Sequence, residues 1–319
     1  LTQATLSTNE FEGLPSLSCS NTRTNTCFGR RMRSLKLKAL SLPIDLKNRE
    51  GLKGIGYKIS NHYNLMQKLG FGTYSQVRRG IHKKTEEVFA VKICKGQTSG
   101  ALLKNEADIL SELSSDYLPK FHEFQRDVSS NKCYLVMEYI KGVTLDSYIK
   151  TNGILTEEEA VKILKQLIKA VKELHSHGIA HRDIKPQNII ITEDLNLKLI
   201  DMNISKRMKD PSTNDDEGKF RSVFFTQISS PMYAAPELAL LECYSESIDI
   251  WGIGVAFSEM LFNISESKIL RNKDSLCHFI DELQQESDIS EESFKWLKSM
   301  LSINPEERPT IYELSDNFS

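Results

Sequence analysis

The sequence predicts an α+β fold with two lobes, a smaller strand-rich lobe followed by a larger helical lobe. Runs enriched in Val, Ile and Phe lie between residues 62 and 139 and are typical of strands. From residue 140 to residue 319 the apolar residues instead recur at helical spacing. Strands followed by helices, rather than alternating with them, favour a segregated α+β arrangement. The 319 residues, 39% of them hydrophobic, suffice for one bilobed domain or for two domains.

Residues 1–61 differ from the rest of the chain in composition and charge. They are rich in Ser, Thr and Asn and carry 10 Lys/Arg against 4 Asp/Glu, whereas residues 62–319 carry 31 against 39. The basic run GRRMRSLKLK at 29–38 shows little periodicity. This composition predicts a basic, mostly disordered N-terminal extension. A solvated tail is the favoured interpretation, and an arm that binds an anionic membrane or an acidic partner is the alternative.

Charge, hydropathy and cysteine patterns narrow the function classes. The net charge of −2 gives no reason to expect a nucleic-acid partner, and no run of 18 apolar residues predicts a transmembrane segment. The six cysteines form no CxxC pair, so we expect reduced thiols and a cytoplasmic protein. Nuclear or peripheral membrane association through the basic arm is left open. Because residue 1 is Leu, a removed targeting peptide is also left open.

The first lobe is predicted from four segments in chain order. NLMQKLGFGTYSQVRRGI (64–81) indicates a strand, a Gly-rich turn and a second strand, and EEVFAVKIC (86–94) indicates a third strand. ALLKNEADILSELS (101–114) places Leu103, Ala107, Leu110 and Leu113 on one stripe, which predicts an amphipathic helix. KCYLVMEYI (132–140) is a further apolar strand.

The second lobe contains two strong helix signals. LTEEEAVKILKQLIKAVKELHSHG (155–178) opens with a capping box between Thr156 and Glu159 and stops at Gly178. The helical spacing predicts its buried face, which consists of Val161, Leu164, Ile168, Val171 and His175. SIDIWGIGVAFSEMLF (247–262) is apolar on almost every side, which predicts a helix buried within a domain.

Three motifs, taken together, indicate a family. GFGTYS (70–75) is a GxGxxG-type loop with Ser in the third glycine position, and Lys92 in FAVKI follows it on a predicted strand. Each alone is a weak signal, because glycines in hairpins and lysines at strand edges are common. HRDIKPQN (181–188), after the capped helix, is far more specific. In this order they resemble the eukaryotic protein kinase family over about residues 62–319. The resemblance implies a bilobal kinase fold divided at about residue 140.

The resemblance also implies a role for each polar residue in these motifs. Asp183 would accept or orient the proton of a Ser or Thr hydroxyl on a protein substrate, and Lys185 would steady the γ-phosphate of ATP. Lys92 would hold the α- and β-phosphates while paired with Glu106, a carboxylate that would be costly to bury without a partner. The ligands of Mg²⁺ would be Asn188 and Asp201. A Lys two residues after the catalytic Asp is similar to Ser/Thr kinases rather than to Tyr kinases.

The nucleotide site implied by the resemblance consists mostly of apolar side chains and backbone groups, as a cofactor pocket requires. The glycines lack a Cβ, so backbone N–H groups can approach phosphate there. The residues expected to contact ATP are Gly70, Phe71, Gly72, Thr73, Tyr74, Ser75, Val77, Ala90, Lys92, Met137, Glu138, Ile140 and Ile190. In this set Met137 would be the gatekeeper, and the backbone of Glu138 and Ile140 would bond the base. Ordinary core packing is the alternative for each apolar member.

Asp201 begins the letters DMN where family members usually have DFG, and an Asp after a short strand can also be a simple turn residue. Met202 is apolar and adaptable, so it can fill the Phe position. Asn203 replaces a glycine, and we expect a positive φ there, which Asn tolerates at some cost. Two hypotheses follow: an active kinase, or a pseudokinase scaffold that binds nucleotide with little transfer. Because Lys92, Asp183 and Asp201 are all retained, the sequence favours the enzyme.

Regulatory residues are implied in the same way. Arg182 would pair with a phosphate that an upstream kinase places on the activation loop. Thr226 is the candidate phosphosite, with an unmodified loop Thr as the alternative. Ser230 would bond the side chains of Asp183 and Lys185.

The remaining matches concern structure and substrate preference. Glu237 of APE is expected to form a buried ion pair with Arg308, and breaking one side should cost about 3–5 kcal/mol. Asp249 in SIDIWGIG also matches a structural position of the family.

Acids that select basic substrates are missing at Thr144 and Gln187, so an arginine-directed preference is not supported. The motif style is loosely similar to calmodulin-dependent-type kinases.

Overall fold

The small lobe is built on an antiparallel sheet. The computed structural model describes residues 58–72, 75–208, 235–239, 245–262, 264 and 276–318. Within them the sheet strands are β1 (Tyr63–Phe71), β2 (Ser75–His82), β3 (Val88–Lys95), β4 (Phe121–Asp127) and β5 (Lys132–Glu138). Their order across the sheet is β1-β2-β3-β5-β4, which places β3 at the centre. The edge strand β4 was not predicted, because its letters FHEFQRD mix polar and apolar residues without the enrichment of the central strands.

Two helices accompany this sheet. Helix α1 (Ile59–His62) precedes β1 and buries Ile59, so residues 58–61, which the sequence assigned to the extension, belong to the folded lobe. Helix α2 (Gln97–Glu112) packs on the sheet through Leu103, Ala107 and Leu110, as the stripe predicted, and it begins four residues earlier than expected. The predicted disorder of the extension concerns residues that otherwise lie outside the described part of the chain.

The large lobe is mainly helical. Its helices are α3 (Leu145–Asn152), α4 (Glu157–Ser176), α5 (Pro236–Ala239), α6 (Ser247–Phe262), α7 (Leu276–Glu286), α8 (Glu291–Met300) and α9 (Ile311–Asn317). Short strands connect them: β6 (Val143–Thr144), β7 (Ile179–Ala180), β8 (Ile189–Ile191), β9 (Leu197–Leu199) and β10 (Lys206–Arg207). Among the described residues, no helix combines the length and the apolar character needed to cross a membrane.

Helix α4 forms the centre of this lobe. Its first turn carries the predicted capping box, in which Thr156 accepts from the Glu159 N–H and the Glu159 carboxylate accepts from the Thr156 N–H. The helix ends at Ser176, and Gly178 follows with a φ of 64°, a conformation that favours glycine. The predicted buried face is confirmed except at Val161, which is only half-buried.

Helix α6 is buried along nearly its whole length, as predicted, and it supports the loop that carries HRDIKPQN. A Cβ at Gly252 would lie 2.9 Å from the Cβ of Ile184 in that loop. A Cβ at Gly254 would lie 2.9 Å from a methyl group of Leu301. Both distances are shorter than side chains tolerate, so the two glycines let α6 approach the loop and the end of α8 closely.

Candidate active site

The Gly-rich turn joins β1 to β2 at the mouth of the site. Gly70 lies opposite Val77 in the β1–β2 ladder, and the Gly72 N–H donates to the Ser75 carbonyl at 2.8 Å. A Cβ at Gly70 would meet no atom within 4 Å, so the space beside this backbone is open, as a phosphate-binding loop requires. Phe71, at the tip, is 73% exposed. Thr73 and Tyr74 lie outside the described residues.

Three of the predicted adenine-binding residues lie on β3, β5 and β8. Ala90 is paired with Met137 across β3 and β5, and both side chains are buried. Ile190 on β8 is half-buried. The N–H of Glu138 donates to the Lys120 carbonyl at 2.9 Å, and its carboxylate pairs with Lys198 at 2.7 Å. These contacts fix the segment whose backbone the sequence assigned to the base.

Lys92 on β3 is the centre of a buried ionic cluster. Its Nζ lies 2.6 Å from Glu106 Oε2 on α2 and 2.8 Å from Asp201 Oδ1 after β9. The side chains of Lys92 and Glu106 are 5% and 1% exposed, whereas Asp201 is 29% exposed. The predicted Lys92–Glu106 pair is therefore present, and the second carboxylate of the cluster, Asp201, remains partly exposed.

The charges in this cluster alter one another's ionisation. Burial would lower the pKa of Lys92, but the carboxylates of Asp201 and Glu106 outweigh burial and hold its pKa above the ordinary value. Burial would raise the pKa of Asp201, and the Lys92 ammonium group reverses that effect and lowers it. Burial raises the pKa of Glu106 despite its contact with Lys92. Two carboxylates face one ammonium group, so the ionised cluster has a surplus negative charge that suits a cation.

The HRDIKPQN loop brings together two predicted catalytic side chains, Asp183 and Lys185, and one predicted metal ligand, Asn188. Lys185 Nζ lies 2.8 Å from both carboxylate oxygens of Asp183. Asn188 Nδ2 donates to Asp183 Oδ2 and to the Asp183 carbonyl, each at 2.8 Å. Because its NH₂ group is engaged in this way, the Asn188 side-chain oxygen is the atom left to bind a ligand. Asn188 and Asp201 are further linked through the Ile200 N–H, which donates to the Asn188 carbonyl at 2.9 Å.

The oxygen donors of Asn188 and Asp201 fit Mg²⁺. Carboxylate and amide oxygens are the protein ligands that this ion prefers, and it usually keeps water and phosphate oxygens as its other ligands. Asp201 uses Oδ1 for Lys92, and no described residue is bonded to Oδ2. The predicted pair therefore retains one carboxylate oxygen and one amide oxygen that could bind the ion.

Asp249 on α6 anchors the HRDIKPQN loop through its backbone. The sequence identified Asp249 as a structural residue but did not name its partners. Its carboxylate accepts from the backbone N–H groups of His181 and Arg182, each at 2.8 Å, and it lies 2.9 Å from His175 Nε2. Burial would raise the pKa of Asp249, but the bond from His175 leads a set of interactions that lower it. Arg182 has a φ of 71°, and the two N–H bonds hold this unfavourable backbone in place.

The DMN segment agrees with one prediction and contradicts another. Met202 is fully buried, as expected of a residue in the Phe position. The positive φ expected at Asn203 is wrong: within this segment it occurs at Asp201, with a φ of 70°. The backbone changes direction at Asp201 because both of its neighbours are held in place. The Ile200 N–H is bonded to the Asn188 carbonyl, and the Met202 side chain is packed in the core. Asn203 therefore does not replace a glycine that this conformation requires.

Sequence reasoning missed Asn105, which connects α2 to the DMN segment. Its Nδ2 donates to the Ser205 carbonyl at 2.9 Å and lies 3.5 Å from the carbonyls of Met202 and Asn203. The signal in the sequence was a polar residue next to Glu106, inside a helix with an apolar stripe. Through Asn105 the helix that positions Glu106 also holds the backbone that follows Asp201.

The sequence has no acid at Thr144 or Gln187, but the structure places Asp146 beside Gln187. Thr144 caps α3, and Gln187 Nε2 donates to Asp146 Oδ1 at 2.9 Å. Lys150, one turn further along α3, lies 2.8 Å from the other oxygen of Asp146. The sequence alone did not place Asp146 at this position, because Asp146 and Gln187 are 41 residues apart in the chain and meet only in the folded structure.

The regulatory predictions are only partly within the described residues. Arg182 is buried, and its Nη1 donates to the Ile204 carbonyl at 3.3 Å. Thr226 and Ser230 lie outside the described part of the chain.

The predicted ion pair of Glu237 and Arg308 is present and bidentate. Arg308 Nη1 and Nη2 donate to the two carboxylate oxygens of Glu237 at 2.7 and 2.8 Å. The side chains are 4% and 0% exposed, and the guanidinium carbon lies 5.1 Å from the ring centre of Trp251. This pair connects α5 to the loop before α9.

Comparison with known proteins agrees with the geometry. A protein kinase domain model matches residues 63–317. Maternal embryonic leucine zipper kinase of Danio rerio is 32% identical over 82% of this chain and 38% of its own length. The serine/threonine-protein kinase cds1 of Schizosaccharomyces pombe is 30% identical over 82% of this chain and 59% of its own length. The serine/threonine-protein kinase atg1 of Dictyostelium discoideum is 31% identical over 77% and 37%.

The chain thus spans between 37% and 59% of the length of these relatives. The domain match itself includes β1 at one end, α9 at the other, and every motif of the site between them. The chain belongs to the eukaryotic protein kinase family, within its serine/threonine branch.

Proposed function

We propose that the protein uses ATP and Mg²⁺ to phosphorylate Ser and Thr hydroxyls of protein substrates. The observation that carries this proposal is the cluster in which Lys92 Nζ lies 2.6 Å from Glu106 and 2.8 Å from Asp201. A lysine held by two carboxylates, one of them partly exposed, is suited to bind phosphate oxygens while the exposed carboxylate binds a metal.

Each residue has a defined part in the transfer. Lys92 would bind the α- and β-phosphates, and Lys185 would bind the γ-phosphate. Asp183 would orient the substrate hydroxyl and take its proton as the hydroxyl oxygen bonds to the γ-phosphorus and the bond to the ADP oxygen breaks. Asn188 and Asp201 would hold Mg²⁺, which supplies charge neutralisation for the phosphates when bound. The protein's contribution is therefore mainly positioning and electrostatic stabilisation.

The pseudokinase alternative is not favoured. A scaffold with little transfer would not need its catalytic residues to be retained and held in place, whereas Lys92 contacts Asp201 and Glu106, and Asp183 contacts Lys185. We further propose that phosphorylation of Thr226 by an upstream kinase regulates transfer through Arg182 and Ser230.

The buried thiols of Cys94 and Cys133 are free, which supports the cytoplasm as the compartment.

The test is Mg²⁺-dependent transfer of ³²P from ATP to a short Ser/Thr acceptor peptide by the parent and two variants. Lys92→Met should lower the rate by about 10²–10³-fold, because it removes the charge that binds the phosphates. Lys95→Met, an exposed lysine at the end of the same strand, serves as the control and should leave the rate unchanged. Equal rates for the parent and Lys92→Met would contradict the assignment.

A further inference from the structure

A groove of about 1360 Å³ lies between α4, α8, the β8–β9 turn and the segment that joins the two lobes. Apart from Glu138 and Ile140 in that segment, none of the residues assigned above to nucleotide, metal or catalysis lines it. It is therefore a separate concave surface, and it has no role in the proposed transfer.

The groove has an aromatic floor beneath lysine side chains. The rings of Trp296 and Phe318 are in contact, with centres 4.1 Å apart. Lys165 Nζ lies 5.9 Å from the Phe318 ring centre, and Lys169 Nζ lies 5.8 Å from that of Tyr117. Flat apolar surface next to ammonium groups suits a chain segment that combines acidic and apolar side chains.

Four exposed lysines form what we call the lysine patch: Lys120, Lys162, Lys165 and Lys169. Among the residues that the structure describes, none of them forms an ion pair with a carboxylate. Lys162 donates to the Asp194 carbonyl at 2.8 Å, which leaves its charge uncompensated. Lys198 also lines the groove, but Glu138 neutralises it. The patch is thus a local excess of positive charge.

Three of the acidic residues that line the groove lie near the start of α4, the end away from Lys169. Glu157 and Glu158 begin α4, and Glu292 lies in the first turn of α8. Glu157 is engaged by the Ser290 and Ser293 hydroxyls. At about 1.5 Å per residue, Lys169 lies roughly 16 Å along α4 from Glu158. The other lining acids are Asp116 and Glu138, and Glu138 is already paired with Lys198. An acidic ligand is therefore directed toward Lys165 and Lys169 and repelled from the start of α4.

We infer that the lysine patch docks an acidic segment of a protein substrate, at a distance from the Ser or Thr that is phosphorylated. This inference rests on the proposed function, because it names a substrate class for the same enzyme. The chain's own extension is a poor occupant, since residues 1–61 carry 10 Lys/Arg against 4 Asp/Glu. A concave surface favours a peptide over a flat anionic membrane, and the net acidity of residues 62–319 opposes general binding to polyanions.

The experiment measures fluorescence anisotropy of a labelled peptide rich in Glu around one Phe, titrated with the full chain without nucleotide. The same peptide with Gln for Glu and vesicles containing phosphatidylserine are the comparison ligands. Lys165→Gln/Lys169→Gln removes two patch charges, and Lys84→Gln/Lys95→Gln removes two exposed charges of the small lobe as the matched control. Transfer to a short acceptor peptide without an acidic segment is measured in parallel.

We expect the acidic peptide to bind the parent and the control alike, and to bind Lys165→Gln/Lys169→Gln at least about fivefold more weakly. Added salt should weaken the binding, and transfer to the short acceptor should not change. Equal binding to all three proteins, no binding of the acidic peptide, or preferential binding of the vesicles would overturn the inference. Binding that persists in a chain without transfer activity would refute the proposed function while leaving the patch in place.

Discussion

Two buried ion pairs, one in the small lobe and one in the large lobe, use similar groups in different ways. Glu237 and Arg308 satisfy each other: two carboxylate oxygens meet two guanidinium nitrogens, and both side chains are almost completely enclosed. Lys92 instead faces two carboxylates, and one of them, Asp201, is 29% exposed. The first pair has no unused binding capacity. The second has a surplus carboxylate that is partly exposed.

This difference separates a structural pair from a ligand-binding one. A planar, bidentate arginine gives a fixed geometry with all strong bonds made, which is suited to joining two segments. A lysine is a compact charge that can exchange a carboxylate for a phosphate oxygen without losing its remaining partner. We therefore expect the same chemical change, Glu to Gln, to act mainly on stability in one pair and mainly on transfer in the other.

The largest effect is expected for Glu237→Gln. Removing the negative charge leaves the guanidinium group of Arg308 buried without its carboxylate, which should lower the free energy of unfolding by about 3–5 kcal/mol. Urea unfolding followed by tryptophan fluorescence measures this change. The rate of transfer per folded molecule should stay close to that of the parent. A loss of less than about 1 kcal/mol, the value of a surface pair, would show that the pair is not the structural link we describe.

Glu106→Gln should instead have a large effect on the rate of transfer and a smaller effect on stability. Lys92 would keep only Asp201 as a charged partner and would be less firmly placed for the phosphates, so transfer should fall by about 10²-fold. The loss of stability should be smaller than for Glu237→Gln, because burial already raises the pKa of Glu106 and makes its ionised form costly. The check is transfer and urea unfolding on the same preparation. A variant that loses stability but transfers normally would place Glu106 with the structural pairs.

The smallest effect on stability is expected for replacement of Asp127, which ends β4 at the β4–β5 turn and belongs to neither ion pair. Bonds from the hydroxyls of Ser129 and Ser130 lower the pKa of this carboxyl to about 2. The unfolded value is about 3.9, so ionised Asp127 stabilises the fold above that pH, and the contribution is lost as the pH falls from about 4 to about 2. The difference in unfolding free energy between the parent and Asp127→Asn should shrink over this range. Asp194→Asn, at another exposed turn, is the control, and a constant difference for Asp127→Asn would contradict the assignment.

The sequence predicted the elements whose patterns are local. The capping box of α4, the stripe of α2 and the apolar character of α6 each result from residues close in the chain, and all three are present. The edge strand β4 was missed, because its pairing with β5 is not visible in its own mixed composition. The resemblance also predicted Glu106 as a partner of Lys92 and Glu237 as the partner of Arg308, contacts that no local pattern contains. It did not predict the contact of Lys92 with Asp201.

The parts of the site that the sequence could not provide depend on backbone geometry and on contacts across the fold. The positive φ was expected at Asn203 from the identity of the usual glycine, yet Asp201 carries it, because the position of the reversal is set by Asn188 and by the packing of Met202. Asn105 and Asp146 reach partners 100 and 41 residues away in the chain. Their roles follow from the fold and not from their neighbours in sequence.

The most direct test of the distinction between the two pairs is the rate of transfer by the parent and by Asp201→Asn, at saturating MgATP with the same acceptor peptide. The variant keeps the shape of the side chain and removes only the surplus charge. We predict transfer by the parent and a rate at least about 10²-fold lower for Asp201→Asn, with an unfolding temperature close to that of the parent. Equal rates, or a parent that binds MgATP without transferring phosphate, would contradict the assignment of the Lys92 cluster to catalysis.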